Sequence, residues 1–290
     1  MSAPETAFGR HVSFQLRYGW LSKGVAAFSE DADVFTRDDA TVKLGVGKNM
    51  VTSIRYWMQA TGVIDKSGLT RLGERLFGKD GFDPYLEDDG TLWLLHFNLA
   101  SNKQLASGAY WLFNHWHKSE FSAAEAFEHL VAFVAENRWQ GAENTIKMDI
   151  QVFLRMYAPH KSAKTKIEEM LESPMSLLGL LEYHDGRYHS MPGDREELPL
   201  EIMAYALAVV MGDKPMIPVR DLMHGEGTAL GSIFKLTENA LIAKIEQIAT
   251  QNAGYELRED AGISQLHCMK TIDPEKVLES YYKSQNRGGV

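Results

Sequence analysis

One segment constrains the fold more than any other: residues 44–64 read LGVGKNMVTSIRYWMQATGVI. After a glycine turn, Val51, Ile54 and Met58 recur at the spacing of one face of a helix. Polar and cationic side chains recur on the opposite face at spacings of four, three and four residues: Lys48, Thr52, Arg55 and Gln59. The segment therefore predicts a helix over 48–60 with one face in a core and a cationic stripe on the other.

The flanking residues predict the other parts of a winged helix-turn-helix. We expect a short helix near 23–29 and a second helix that begins near Asp38, whose carboxylate can cap free amides. Residues 62–70 hold two short runs around a Lys-Ser-Gly turn, which is the pattern of a wing. Thr70 is expected to cap a helix over 71–77.

Residues 91–99, TLWLLHFNL, follow this module and are rich in residue types that favour strands. We interpret them as a buried strand, with His96 as a core histidine. An acidic run precedes them, and a solvated loop is its simplest interpretation, although such carboxylates can also hold Mg²⁺ in metal nucleases. The run comprises Asp80, Asp83, Glu87, Asp88 and Asp89.

A second module with the same plan is predicted downstream. Ser122 and Glu125 form a capping-box pattern that begins a helix ending at Glu136. The segment ENTIKMDIQVFLRMY then predicts a helix with a core stripe and a polar stripe. The core stripe is Ile146, Ile150, Phe153 and Tyr157, and the polar stripe is Asn144, Lys147, Gln151 and Arg155. Asp185-Gly186, between two short runs, predicts a hairpin with a type I′ turn.

The rest of the chain predicts a third, mostly helical module. LPLEIMAYALAVVMGD has the composition of a central apolar helix, Thr237 is expected to cap another helix, and YELREDAGISQLHCM predicts a strand pair. The expected fold is mainly α with small β-hairpins, in two or three winged helix-turn-helix-like modules. We assign three domains: 1–101 and 102–197 as winged-helix-like, and 198–290 as helical or winged-helix-like.

The two polar stripes indicate double-stranded DNA as a partner. An α-helix fits the major groove, where Arg and Lys reach guanine acceptors and Gln pairs with adenine, and both cations also hold phosphates. A solvated helix face is the competing interpretation of each stripe, and Asp149 would repel phosphate if it pointed the same way as the second stripe. A shared footprint would place the four stripe cations on one face: Lys48, Arg55, Lys147 and Arg155.

The charge balance restricts how DNA could be held. The 290 residues carry a net charge of −9, so contacts must come from local patches rather than from general basicity. No apolar run is long enough to span a membrane, and the N-terminus lacks a secretory pattern. The single cysteine, Cys268, cannot form an internal disulfide. We therefore expect a cytoplasmic protein without membrane association.

No motif predicts a nucleotide cofactor or a catalytic constellation. GVGKN lacks two residues of a P-loop, because Val42 and Asn49 stand where a glycine and a Ser or Thr are needed. His115 and His117 could bind a metal or move a proton, but no fixed carboxylate accompanies them, and a structural role is the simpler interpretation. The catalytic residues therefore stay unassigned.

The chain resembles a bacterial family first described as a domain of unknown function and encoded beside sulfurtransferases related to phosphoadenosine-phosphosulfate (PAPS) reductase. FQLRYGWLSKGVAAF and LGVGKNMVTSIRYWMQATGVI carry the resemblance, and the second is the more specific. ENTIKMDIQVFLRMYAP, IFKLTENAL and AGISQLH extend it over nearly the whole chain. This is the SspB-like family of the Ssp DNA phosphorothioation system.

The resemblance implies a function and partners that spacing alone does not. In that system a cysteine desulfurase mobilises sulfur, and a PAPS-reductase-like sulfurtransferase and an ATPase act with it to mark DNA for anti-phage defence. The family member is regarded as the DNA-nicking component, for which Mg²⁺ or Mn²⁺ would be the cofactor. The matching motif places DNA contacts on Lys48, Asn49, Arg55 and Tyr56.

Two alternatives stay open from the residues themselves. A non-catalytic adaptor would read DNA and recruit the sulfurtransferase, which fits the acidic balance and the missing nuclease motif. A winged-helix transcriptional regulator would protect a promoter without changing the sulfur content of the genome. Either could act as a two-fold homodimer, as DNA readers commonly do.

Overall fold

Local sequence signals set most element boundaries in the computed structural model, which describes residues 6–160, 173–251, 254–260 and 262–285. Over these residues the chain is mainly helical with short antiparallel strands. The helices are α1 Trp20–Glu30, α2 Ala40–Leu44, α3 Lys48–Ala60, α4 Arg71–Phe77, α5 Asp89–Ser101, α6 Ser107–Asn114, α7 Ala123–Glu136, α8 Glu143–Tyr157, α9 Leu200–Met211, α10 Val219–His224, α11 Leu230–Ile233, α12 Glu238–Gln251 and α13 Pro274–Gln285. The strands are β1 Ile64–Asp65, β2 Gly68–Leu69, β3 Glu120–Phe121, β4 Glu182–His184, β5 Arg187–His189, β6 Met216–Pro218, β7 Tyr255–Asp260 and β8 Ile263–Cys268.

The described residues divide into two compact units. Unit 1 holds the described residues up to Leu112 together with Lys118–Ser190, and unit 2 holds Phe113–His117 and the described residues from Met191 onward. The predicted domains 1–101 and 102–197 therefore lie largely in one unit, and 198–290 lies in the other. The first two are joined because the N-terminal segment packs onto α8, where the Gly9 N–H donates to Asp149 Oδ1 at 2.6 Å.

The segment from α3 to α4 forms as its sequence predicts. Helix α3 has the predicted bounds and buries its apolar stripe, and the hairpin β1–β2 follows it with Ile64 paired to Leu69. Thr70 Oγ1 accepts the Gly73 N–H at 3.0 Å, so the predicted cap begins α4. A helix, a tight turn, a second helix and a hairpin therefore follow one another from α2 to β2.

The second part of unit 1 adds a three-stranded sheet. Ser122 and Glu125 each accept the other's backbone N–H, so the predicted capping box begins α7. Between β4 and β5, Asp185 and Gly186 have φ angles of 52° and 83°, the left-handed values that a type I′ turn requires. Strand β3 pairs with β5, which gives the order β3-β5-β4.

Unit 2 has a related but longer sequence of elements. Helix α9 precedes β6, helices α10 to α12 follow, and β7 and β8 end the sheet, whose order is β6-β8-β7. Thr237 Oγ1 accepts the Ala240 N–H at 3.2 Å and begins α12 as predicted. Across the described ranges, no helix combines the length and the apolar character needed to cross a membrane.

Residues 91–99 are helical, so the predicted strand is wrong. They lie within α5, where Asp88 Oδ1 accepts the Gly90 N–H at 2.7 Å and caps the first turn. Every residue from Gly90 to Phe97 is buried, so the apolar pattern carries no helical period to recognise. His96 is a core histidine as expected, with Nδ1 2.7 Å from the Tyr157 hydroxyl.

The cap predicted at Asp38 is also absent. Helix α2 begins at Ala40, and Asp39 precedes it without a side-chain bond to a backbone amide. The Asp39 carboxylate instead lies 3.8 Å from Lys43 Nζ and 3.7 Å from Arg37 Nε. The Asp39 carboxylate at the start of α2 therefore pairs with neighbouring cations and does not cap a backbone amide.

Candidate nucleic-acid interface

The polar face of α3 is built by the glycine turn before it. Gly45 has a φ of +60°, a left-handed value, and ends α2, while Gly47 lies in extended backbone and precedes Lys48. The short turn places α3 immediately after α2, with the face opposite its core contacts toward solvent. Lys48, Asn49, Thr52 and Arg55 are exposed and Gln59 is half-buried. We call Lys48, Thr52, Arg55 and Gln59 the α3 stripe.

The two cations of the α3 stripe are not neutralised by the protein. Among the described residues, neither Lys48 nor Arg55 has a carboxylate oxygen within 4.0 Å. Lys43 on the preceding helix differs, because its Nζ lies 2.8 Å from Asp31 Oδ2. The positive charge of the stripe is therefore available to a ligand.

Tyr56, which the resemblance placed among DNA contacts, is a core residue. Its side chain is 4% exposed, its ring centroid lies 4.9 Å from that of Trp57, and it meets the His11 ring edge-on at 5.7 Å. Burial, with Asp149 nearby, raises the pKa of the Tyr56 hydroxyl well above its usual value. Tyr56 is therefore not part of the exposed surface.

The polar face of α8 is also exposed and carries two cations. Asn144, Lys147, Gln151 and Arg155 all face solvent, and we call them the α8 stripe. Arg155 Nε donates to the Gln151 carbonyl oxygen at 3.2 Å, and Lys147 Nζ lies 5.8 Å from the centre of the Phe127 ring. Asp149 turns inward and is 1% exposed, so it does not oppose an anion at this stripe.

A groove of about 420 Å³ lies between α3 and its hairpin. Arg55 and Gln59 line one side of it, and Lys66 and Ser67 at the hairpin turn line the other. The Asp65 carboxylate accepts the Ser67 N–H at 2.7 Å and the Ser67 hydroxyl at 2.6 Å, and these bonds lower the pKa of Asp65. The hairpin turn is therefore held in place beside the α3 stripe.

A cluster in unit 2 combines residues that sequence reasoning did not connect. The rings of His117 and His224 lie 5.5 Å apart, and the buried Lys235 Nζ donates to the Trp116 carbonyl oxygen at 3.3 Å. Burial lowers the pKa of Lys235 to about 8, and burial with Lys235 and His224 lowers the pKa of His117. These groups are distant in sequence, so no local motif could have indicated them.

The acidic run, for which metal binding was the alternative to a solvated loop, does not form a cluster of metal ligands in the described residues. Both carboxylate oxygens of Asp83 accept backbone amides, from Glu87 at 2.8 Å and Asp88 at 3.2 Å, so the acidic run is a folded turn. In the part of the chain that the structure describes, no three His, Cys, Asp or Glu side chains lie together as metal ligands would. The described residues therefore do not fit a preformed carboxylate cage for a metal ion.

Comparison with known proteins identifies related chains. A family model described as "Protein of unknown function (DUF4007)" matches residues 8–282. Two similar crystal structures are those of magnesium ion-bound SspB and of SspB. Each is 30% identical in sequence to this chain, and each match covers 97% of this chain and 89% of the SspB chain. Their TM-scores are 0.84 and 0.83. No curated protein matches the chain.

Proposed function

Because the chain belongs to the DUF4007 family and is an SspB-like protein, we propose that it binds double-stranded DNA as a component of DNA phosphorothioate modification and anti-phage defence. The α3 and α8 stripes carry the proposal. Each is an exposed helix face with two cations and several amide or hydroxyl groups, which is the chemistry that reads base edges and holds phosphates.

The order of elements supports winged-helix modules. A winged helix has a helix, a strand, two helices and a two-stranded wing, and its first strand pairs with its last. Among the described elements, those from α6 to β5 follow that order, and those from α9 to β8 follow it with three helices in place of two; the sheets are β3-β5-β4 and β6-β8-β7. In such modules the helix before the wing enters the major groove, and α8 is the last described α-helix before β4 and β5. Helix α3 has the same place before β1–β2.

Electrostatics favour local rather than general attraction. The chain carries −9 overall, yet α3 contains no acidic residue; of the two acids of α8, Asp149 is buried and points inward, and Glu143 lies exposed in the first turn. A duplex would therefore be drawn to the stripes and repelled elsewhere, which gives orientation as well as affinity. The competing interpretation is that each stripe is a solvated helix face that binds no ligand, and a DNA-binding assay distinguishes the two.

Duplex binding tests the proposal directly. We expect Lys48→Ala/Arg55→Ala to weaken binding of a labelled duplex, measured by fluorescence anisotropy, while the charge-matched Lys270→Ala/Lys276→Ala in unit 2 leaves it unchanged. Both control lysines are exposed. Wild-type protein that binds no duplex at low salt would overturn the proposal. Equal losses in both double variants would show that net charge, rather than the stripe, attracts DNA.

We further propose that the protein nicks DNA with Mg²⁺ or Mn²⁺. The magnesium ion-bound state of a similar SspB structure supports the choice of metal, and the family resemblance supports the nicking activity. Mg²⁺ needs only one or two protein carboxylates when phosphate oxygens and water complete its shell, so a preassembled cage is not required. Supercoiled plasmid should become open circles with either metal and stay closed in EDTA. Binding without nicking would identify an adaptor, and protection of one promoter alone would identify a transcriptional regulator.

The proposed partners are a PAPS-reductase-like sulfurtransferase, an ATPase and a cysteine desulfurase, with the chain acting in the cytoplasm. The resemblance supports them, since the chain has one cysteine and no nucleotide-binding loop with which to supply sulfur or ATP chemistry itself. Co-expression and purification of the tagged chain should recover the sulfurtransferase. Recovery of the chain alone under those conditions would contradict a stable complex.

A further inference from the structure

Helices α3 and α8 both contact one buried ring, that of His11. The His11 ring stacks on Trp57 of α3 at 6.0 Å with an interplanar angle of 14°, and meets Phe153 of α8 edge-on at 5.9 Å. Trp57 and Phe153 also contact each other, with ring centroids 5.9 Å apart. His11 Nε2 lies 3.0 Å from Asp149 Oδ1, which adds a second residue of α8. These four side chains fix which sides of the helices face each other.

Helix geometry then fixes where the stripes point. Successive residues advance by about 100° around a helix, so residues two apart lie on nearly opposite sides. Trp57 lies two residues after Arg55 and two before Gln59. In the same way, Asp149 and Phe153 lie two residues before and after Gln151. Each stripe is therefore on the side of its helix away from the shared contact, and the two stripes face away from each other.

Opposed stripes cannot share one straight duplex. A packed helix is about 10–12 Å across, so a duplex seated on one stripe is separated from the other by two helices. Bending one duplex around two packed helices to reach both stripes is unfavourable, because the persistence length of DNA is about 150 base pairs. A shared footprint for Lys48, Arg55, Lys147 and Arg155 does not fit this packing.

We infer that unit 1 holds two DNA segments at once, one on the α3 stripe and one on the α8 stripe. The inference rests on the proposed DNA binding and adds that a single chain bridges two segments. Charge supports a nucleic acid at both stripes, because none of the four cations has a carboxylate within 4.0 Å among the described residues. Two distant sites, or two arms of one looped molecule, would satisfy the geometry equally.

A capture assay tests the bridge. One duplex is fixed to beads, the full chain is added, and retention of a second, fluorescent duplex is measured. We expect wild-type protein to retain the second duplex. Two double variants should each still bind one duplex in solution but should not retain the second duplex on the beads: Lys48→Ala/Arg55→Ala and Lys147→Ala/Arg155→Ala. The control variant Lys270→Ala/Lys276→Ala should retain the second duplex as wild type does.

Mixing the two stripe variants separates a bridge within one chain from a bridge made by a dimer. A dimer could combine one intact stripe from each chain, so restored capture in the mixture would overturn the inference. Capture by either stripe variant alone would also overturn it, as would wild-type protein that binds one duplex and never a second. Protein that binds no duplex at all would instead refute the proposed function. We expect wild-type protein to capture the second duplex and the mixture of the two variants not to capture it.

Discussion

His11 donates a hydrogen bond to Asp149 inside unit 1, and both side chains are almost completely buried. The Ser13 N–H points to His11 Nδ1 at 3.2 Å, so Nδ1 accepts and the proton lies on Nε2, 3.0 Å from Asp149 Oδ1. The same carboxylate oxygen accepts the Gly9 N–H. This pair attaches the N-terminal segment to α8 and lies between the two helices that carry the stripes.

His11→Ala is expected to lower the free energy of unfolding by about 1–3 kcal/mol, because it leaves the buried Asp149 carboxylate without its side-chain donor. Urea denaturation followed by tryptophan fluorescence measures this loss. Asp149→Asn is the matched comparison, since an amide oxygen can still accept from His11 and Gly9, and it should cost less. An unchanged midpoint in His11→Ala would show that the pair does not stabilise the fold.

Gly108→Ala should destabilise the protein although alanine favours helices. A Cβ on Gly108 of α6 would overlap Asp149 Oδ2 and approach the Phe153 ring at 3.2 Å. The helix-propensity gain of up to about 1 kcal/mol is therefore opposed by an overpacking cost of about 1–3 kcal/mol. Thermal unfolding measures the net sign.

A double-mutant cycle identifies the cause of that loss. Removing the carboxylate with Asp149→Ala removes the overlap, so Gly108→Ala should cost less in that background than in wild type. Equal costs in the two backgrounds would place the strain elsewhere.

The free energy of unfolding should rise between about pH 8 and pH 10 through Lys235. Burial lowers its folded-state pKa to about 8 from 10.5, so in this window the unfolded chain binds more protons at Lys235 than the folded chain. Below about pH 8 the lysine is charged in both states and its burial penalty is complete. The gain across the window is at most about 3 kcal/mol.

Lys235→Met should remove that pH dependence. The free energy of unfolding of the variant and of wild type is measured by urea denaturation at about pH 7.5 and about pH 9.5. The change between the two pH values in wild type, minus the same change in the variant, is the contribution of Lys235. A parallel pH response in both proteins would contradict a depressed lysine pKa.

Arg55→Ala should flatten the salt dependence of duplex binding. If Arg55 holds one phosphate, the slope of log K against log salt falls in magnitude by about 0.9, one counterion's contribution. Arg55→Lys keeps the charge and should keep the slope while weakening any bidentate contact to guanine. Anisotropy titrations at four salt concentrations measure both. An unaltered slope in Arg55→Ala would mean that α3 does not touch the DNA backbone.

The sequence determined the elements whose signals are local. The bounds of α3, α4, α7 and α8, the capping box at Ser122 and the turn at Asp185-Gly186 depend on hydrogen bonds and backbone angles within a few residues, so neighbouring residues sufficed to predict them. The outward stripes of α3 and α8 followed from the same periodicity.

Long-range packing decided the rest. Residues 91–99 are helical because burial on all sides removes the pattern that local reasoning needs. The buried Asp149 and Tyr56 both contact His11, which lies more than forty residues before each of them in the chain. Contacts between residues so far apart leave no periodic trace in the chain, so only the tertiary structure shows that the two stripes face away from each other.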